Sequence, residues 1–250
     1  MIAGVTQIGT LVRAWSVRPK GLIHVGAHLA EELPSYAKHG WMPRVWVEPL
    51  HKQASQIRTK IGESNQDLLF EVAVCEGTSE TIELRVLNHE AASSILPLAQ
   101  AKPERYAWLS QASVISVPRI SLTQLIQELD RIQIYPDLLV MDVQGAEGSV
   151  LRSGEVDLKK FKWIFCEAQT IEIYENGATV DQLNEYLSTR GFKLALKIDA
   201  PDLGQADLLF INLNNYPKFV LVRHLLSKIL AFAYRSQLLG KLFKVTSTSS

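Results

Sequence analysis

Apolar runs of strand length alternate along this chain with stretches of helical spacing. The runs are "GLIHVGA" (21–27), "RVWVEP" (44–49), "LLFEVAV" (68–74), "DLLVMDV" (137–143), "KWIFCEA" (162–168), "FKLALKI" (192–198) and "ADLLFINL" (206–213). Between them, 29–38, 50–61, 121–132, 146–153 and 179–190 carry helix-like spacing. That alternation predicts βαβ units and a mainly parallel sheet. Ser121 stands at an expected N-cap before "LTQLIQELD", and Gly191 where a helix C-terminus needs a residue tolerant of positive φ. Only "DAPDLGQ" joins the last two runs, too short for a helical crossover, so those strands are expected to pair antiparallel. After the third run, "TIELRV" and "VISVPRI" (114–120) break the alternation and predict a small extra β element, at the sheet edge or over a pocket.

In an open α/β sheet, ligands bind at the carboxyl ends of the strands, beside the reversal of strand order. Gly26 ends the first run and lets backbone approach a ligand. Glu48 ends the second run 22 positions later, where a carboxylate can hold a ribose diol. The loop "VGAHLAEE" offers one glycine followed by two acids, Glu31 and Glu32. At a helix N-terminus those acids would satisfy the macrodipole and repel a pyrophosphate. S-adenosylmethionine has no phosphate and carries a sulfonium and an ammonium, which an acidic pocket suits. The fourth run ends in "MDVQGAEGSVL", with Asp142 at the strand end, Gly145 in a tight turn and Glu147 opening the next helix. Glu167, near the end of "KWIFCEA", would be costly to bury unpaired, which favours a pocket or a paired role.

Several ordered segments together, "VGAH" (25–28), "VEP" (47–49), "VAV" (72–74), "SSIL" (93–96), "DVQGAE" (142–147) and "IFCEAQTIEIYENG" (164–177), resemble the FkbM-type family of S-adenosylmethionine-dependent methyltransferases. The resemblance spans about residues 20 to 215. It implies an α/β, Rossmann-like class I methyltransferase fold: seven mainly parallel strands, an antiparallel last strand and a small β insertion after strand three. It implies methyl transfer to a hydroxyl of a small acceptor such as a sugar, glycan or secondary metabolite. Gly26, Ala27, His28, Glu31, Glu48, Pro49, Ala73, Ser94 and Asp142 are the expected cofactor contacts. Asp142, Glu147 and Glu167 are the candidate bases, with His28 and His89 behind them. The family often has "DVGAN.G" at strand one and glutamate in "DVEGAE"; here His24, His28, Ala30 and Gln144 stand instead. His24 and His28 straddle a strand end and a turn, so a helical metal pair is not expected, and no metal site is predicted.

Length and composition narrow this reading further. The 250 residues, 47% apolar, suffice for one large α/β domain, and the formal net charge of zero gives no reason to expect nucleic acid. Cys75 and Cys166 lie in apolar runs and read as buried free thiols, which fits a reducing, cytoplasmic compartment. Residues 1–20 read as a short amphipathic helix ending near Pro19, not as a signal peptide, and 21–215 as the domain. The segment 216–250 is expected to form a basic helix and tail. From Asn212 onward there are six basic residues and no acid. That helix either packs on the sheet or lies against an anionic membrane or a partner. Two other readings use the same residues: a nucleotide-dependent oxidoreductase, and a non-catalytic methyltransferase-like scaffold held at a membrane by this tail. Nothing in the pattern signals an oligomeric state.

Overall fold

The computed structural model describes residues 17–101 and 103–215. The expected C-terminal helix and tail lie outside them, as does the expected N-terminal helix except for Val17–Lys20, which are not helical. The described residues form ten strands: β1 (Leu22–Val25), β2 (Arg44–Val47), β3 (Asp67–Phe70), β4 (Ala73–Val74), β5 (Thr81–Leu87), β6 (Gln111–Ile120), β7 (Leu138–Met141), β8 (Trp163–Gln169), β9 (Phe192–Ala200) and β10 (Gln205–Asn212). The helices are α1 (Leu33–Lys38), α2 (His51–Ile61), α3 (Leu122–Arg131), α4 (Glu147–Arg152) and α5 (Val180–Ser188).

Seven strands form one sheet in the order β3-β2-β1-β7-β8-β10-β9. The first five of these positions run parallel, and β10 is antiparallel to both β8 and β9. This is the Rossmann-like sheet with the antiparallel end that the short "DAPDLGQ" connection required. Strand order reverses between β1 and β7, so their carboxyl ends flank the crevice where such sheets bind ligands.

Period-two alternation sorts the strand residues onto two faces. Ile23, Val25, Val45, Val47, Leu139 and Met141 join one core cluster with Leu122, Leu125 and Leu129 of α3 and with Val150 and Leu183. The intervening His24 and Trp46 meet Tyr36 of α1, with ring centroids 5.7–6.0 Å apart. His24 is therefore a core histidine: its Nδ1 lies 3.3 Å from the Tyr36 hydroxyl, and burial pushes its pKa down to about 4. Ser121 caps α3 through a reciprocal capping box with Gln124, as its position indicated. On β2–β3, Arg44 grips Asp67 with two bonds of 2.7 and 2.6 Å, and Trp46 Nε1 donates to the same carboxylate. Cys75 and Cys166 are buried free thiols.

Two local expectations change. "LLFEVAV" is not one strand: β3 ends at Phe70, and Ala73–Val74 form β4, paired with Arg119–Ile120 of β6 in a second sheet ordered β4-β6-β5. An unbroken apolar run gives no signal for such a change of partner. The predicted β insertion is thus a three-stranded sheet continuous with the end of β3. Likewise the first helix begins at Leu33 and not at 29, with Pro34 in its first turn.

Candidate functional site

The chain leaves β1 through a turn that closes on the ends of β2 and β7. Gly26 has φ +81°, and a Cβ placed there would meet the Asp142 carbonyl oxygen at 1.9 Å, so no other residue fits this crossing. Gly26 N and Ala27 N both donate to Val47 O at 3.0 Å. His28 N then donates to Glu48 Oε2 at 2.8 Å, and Leu50 N to Glu48 Oε1 at 2.9 Å. Each Glu48 oxygen is left with a free lone pair, on a side chain only 5% exposed. Burial raises its pKa to about 7.

Beyond that turn, His28 and Ala30 take left-handed conformations, φ +46° and +50°. These are the positions where the resembling family often has asparagine and glycine, the residues that tolerate such geometry at least cost. The departures at 28 and 30 are therefore matters of backbone strain. Glu31 accepts from Leu29 N at 3.2 Å and lies 2.8 Å from His28 Nδ1, a contact that raises the His28 pKa. Since α1 starts only at Leu33, Glu31 is not in its first turn, and Glu32 at the N-cap makes no side-chain capping bond.

That cleft lies at the carboxyl ends of β1, β2 and β7. Of the predicted contacts, Gly26, His28, Glu48, Pro49, Ala73, Ser94 and Asp142 line it, while Ala27 and Glu31 do not. Val72, Val74, Leu84 and Ile95, from the second sheet and its loop, give it an apolar wall. Glu90, which no local pattern singles out, also lines it and is held by Lys52 and Gln53. Ser94 Oγ donates to Gln144 O at 2.8 Å and accepts from Leu96 N, so its hydroxyl ties the cleft wall together.

The three candidate bases sort by location. Glu147 is 1% exposed beneath the turn, accepts from Val143 N at 3.1 Å, and has its pKa raised by burial to about 8. It lines neither the cleft nor the second cavity described next. Asp142 lines the cleft, half-buried, with its carboxyl pushed above the usual range by desolvation. Glu167 lines a second cavity, with His89, Tyr106, Trp108, Tyr174 and Gln205. Ala91 and Gln144 border both spaces, so the two adjoin. Gln144 stands between the acids: its Nε2 lies 2.6 Å from Asp142 Oδ1 and 3.5 Å from Glu167 Oε1. Desolvation, then the charges of Asp142, Glu147 and Asp207, hold the Glu167 pKa well above that of a free carboxyl. Asp207, opposite Glu167 on β10, is a further buried acid, with its pKa raised by burial to about 6.

A family model described as the methyltransferase FkbM domain matches residues 24–194, well over half of the chain. The chain belongs to the FkbM methyltransferase family. Among curated proteins, the 2-O-methyltransferase NoeI of Sinorhizobium fredii is 30% identical over 134 residues, 51% of this chain. The match spans 54% of that relative, so about half its length has its counterpart here. Among solved structures, M. capricolum TrmK in complex with S-adenosylhomocysteine is 10% identical, with TM-score 0.49, covering 86% of this chain and 70% of that one. The magnesium protoporphyrin IX methyltransferase of Synechocystis PCC 6803 is 9% identical, with TM-score 0.48, covering 84% and 78%.

The cofactor of this FkbM domain is S-adenosylmethionine, and the cleft suits it. The lining holds Glu48, Glu90 and Asp142 and contains no lysine or arginine, a setting for a cation and a poor one for a pyrophosphate. Glu48 has the free lone pairs that a ribose diol needs. Among the described residues, no group of three His, Cys, Asp or Glu side chains could hold a metal ion, and no helix is long and apolar enough to cross a membrane.

Proposed function

We propose that this protein transfers a methyl group from S-adenosylmethionine to a hydroxyl oxygen of a small hydroxylated molecule, of the sugar or glycan class. The observation that carries this reading is the pair of adjoining spaces. One is a lysine- and arginine-free cleft with Glu48 at its floor, and the other is lined by the half-buried carboxyl of Glu167. The 2-O-methyltransferase name of the S. fredii relative supports oxygen as the acceptor atom.

When bound, the cofactor supplies an electrophilic methyl group on a sulfonium. The residues of this chain do the rest. Glu48 would take the ribose hydroxyls on its free lone pairs. His28, its proton favoured by the hydrogen bond to Glu31, is the cleft-lining side chain able to offer positive charge to a carboxylate. Alignment of the acceptor oxygen and removal of its proton are the remaining tasks, and a carboxylate bordering the second cavity can perform both.

Calorimetric titration with S-adenosylhomocysteine tests the cofactor half, with NAD as the control. Micromolar binding of the first and none of the second is expected. Glu48→Ala should weaken it about 10- to 100-fold, the worth of hydrogen bonds to a charged group. Binding of NAD alone, or of neither, would overturn the reading. Methylated product recovered as a methyl ether, and not as an amine or ester, tests the oxygen half.

A further inference from the structure

The second cavity has features that the cofactor does not use. Trp108 is 56% exposed at its edge, with the His89 ring 5.8 Å away and edge-on. Both sit on the long connection between β5 and β6, a segment with neither helical nor strand spacing. The connection is nevertheless pinned on several sides. Arg105 Nη1 donates to Pro201 O and Asp202 O at 2.8 Å, and the Tyr106 hydroxyl bonds to Leu203 O. Asn88 holds Trp108 O at 2.8 Å and Ser110 N at 3.1 Å, and the Tyr174 hydroxyl reaches Ala92 O at 2.7 Å. An exposed indole on an anchored wall is a preformed platform for a ligand with an apolar face.

The cavity lining has no lysine or arginine, and the carboxyl among its residues is Glu167, which burial and the neighbouring acids keep protonated to higher pH than a free carboxyl. Glu167 Oε1 takes the side-chain amides of Gln205 and Gln144, whereas Oε2 accepts no hydrogen bond from the described residues. An anionic ligand would face that carboxylate without a counter-charge. An uncharged hydroxyl can instead donate to the free oxygen.

From this geometry we infer that the second cavity is the acceptor site, that it takes an uncharged, hydroxyl-bearing ring stacked on Trp108, and that Glu167 is the base. The inference rests on the methyl-transfer reading above. The acceptor O–H proton passes to Glu167 Oε2 as the oxygen forms its bond to the methyl carbon. The electrons of the broken C–S bond stay on sulfur as the neutral thioether of S-adenosylhomocysteine, and Glu167 then returns its proton to water. Asp142 faces the cofactor cleft and Glu147 is sealed under the turn, so neither is placed for this step.

The test measures methyl transfer by the full chain, with the cofactor saturating. The acceptors are methyl α-D-glucopyranoside, methyl α-D-mannopyranoside and myo-inositol, against glucose 6-phosphate and glucuronate. Neutral rings should exceed their anionic counterparts at least tenfold in kcat/KM. Trp108→Ala should raise KM for the ring about tenfold and leave S-adenosylhomocysteine affinity unchanged. Glu167→Gln should lower kcat about 100-fold or more, the usual worth of a general base, with KM and cofactor-product affinity intact. Wild-type kcat should also rise with pH, because burial and then the charges of Asp142, Glu147 and Asp207 hold the Glu167 proton on, with the Tyr106 and Tyr174 phenols also near it; the Gln variant should lose that rise. Preference for the anionic sugars, no transfer to any neutral ring, or a Trp108→Ala variant with unchanged KM would overturn the site. If hydroxyl methylation persists with Trp108 and Glu167 replaced, the acceptor site is wrong while the methyltransferase reading stands. If S-adenosylhomocysteine does not bind, the fault lies in that reading.

Discussion

The Glu48 cleft and the second cavity adjoin, yet they are walled by different kinds of structure. The cleft is floored by strand ends: Gly26, Glu48 and Asp142 each follow a central strand within a residue or two, and backbone N–H groups fix the Glu48 carboxylate. The cavity is assembled from segments far apart in sequence, the 88–109 connection, the end of β8, Tyr174 and the 201–205 turn, held by side-chain bonds to carbonyls. A ligand shared by many proteins can be met by features of the sheet itself. A ligand peculiar to one protein has to be met by what is hung on the sheet.

The sharpest way to break that comparison is to add one methyl group to each wall. In Gly26→Ala the new Cβ meets the backbone carbonyl of Asp142 at 1.9 Å, and backbone at the strand crossing cannot retreat. With left-handed strain added, a loss of about 4 kcal/mol and of all S-adenosylhomocysteine binding is expected. Gly204→Ala, at φ +59° beside the cavity, meets Ile171 Cδ1 and Cγ1 at 2.3 Å, a clash with a side chain and not with backbone. A loss of about 1–2 kcal/mol with cofactor binding retained is expected there. Urea unfolding and calorimetry of the two variants check this; equal losses would mean the two walls are equally rigid.

The acids sharpen the comparison next, because Glu147 belongs to neither wall. Its pKa is raised from an ordinary carboxyl value to about 8, so between those pH values the folded chain holds a proton that the unfolded chain has released. Its contribution is full below the unfolded pKa and is lost as pH rises toward 8. Glu147→Gln cannot ionise and escapes that loss. The variant should gain about 2–3 kcal/mol on the wild type between pH 6 and pH 9, read by urea unfolding at both. A gap that does not move with pH would show that Glu147 is not held as a neutral acid.

What the sequence revealed follows the same division. Glu48 was legible because a carboxylate at a fixed distance after a glycine turn is a local pattern, and Asp142 because a strand end is visible as the end of an apolar run. The antiparallel end of the sheet was legible from one short connection. Tyr106, Trp108 and Gln205 were not, since their juxtaposition is made by long-range bonds such as Tyr106 to Leu203 that leave no periodicity in either segment. An indole in a connection without helix or strand spacing was the available signal. The split of "LLFEVAV" into β3 and β4 was hidden for another reason: both pieces are apolar, and the change of pairing partner is set by β6, some 45 residues on.

The smallest expected effect concerns the loop whose composition departs from the family's habit. Ala30 is 1% exposed at φ +50°, where glycine would be unstrained. Ala30→Gly relieves about 1 kcal/mol of left-handed strain. Against this stand the loss of a buried methyl, about 0.8 kcal/mol, and the added freedom of the unfolded chain, about 0.4–1 kcal/mol. The terms nearly cancel, so the melting temperature should move by no more than about 4 °C. Ala30 lines neither cavity, and Glu48 is positioned by His28 N and Leu50 N, so S-adenosylhomocysteine affinity should stay within about twofold, a free-energy change under about 0.5 kcal/mol. A tenfold gain in affinity would instead show that strain in this turn limits cofactor binding. The backbone of the glycine turn, and not only its side chains, would then have to be counted as part of the site.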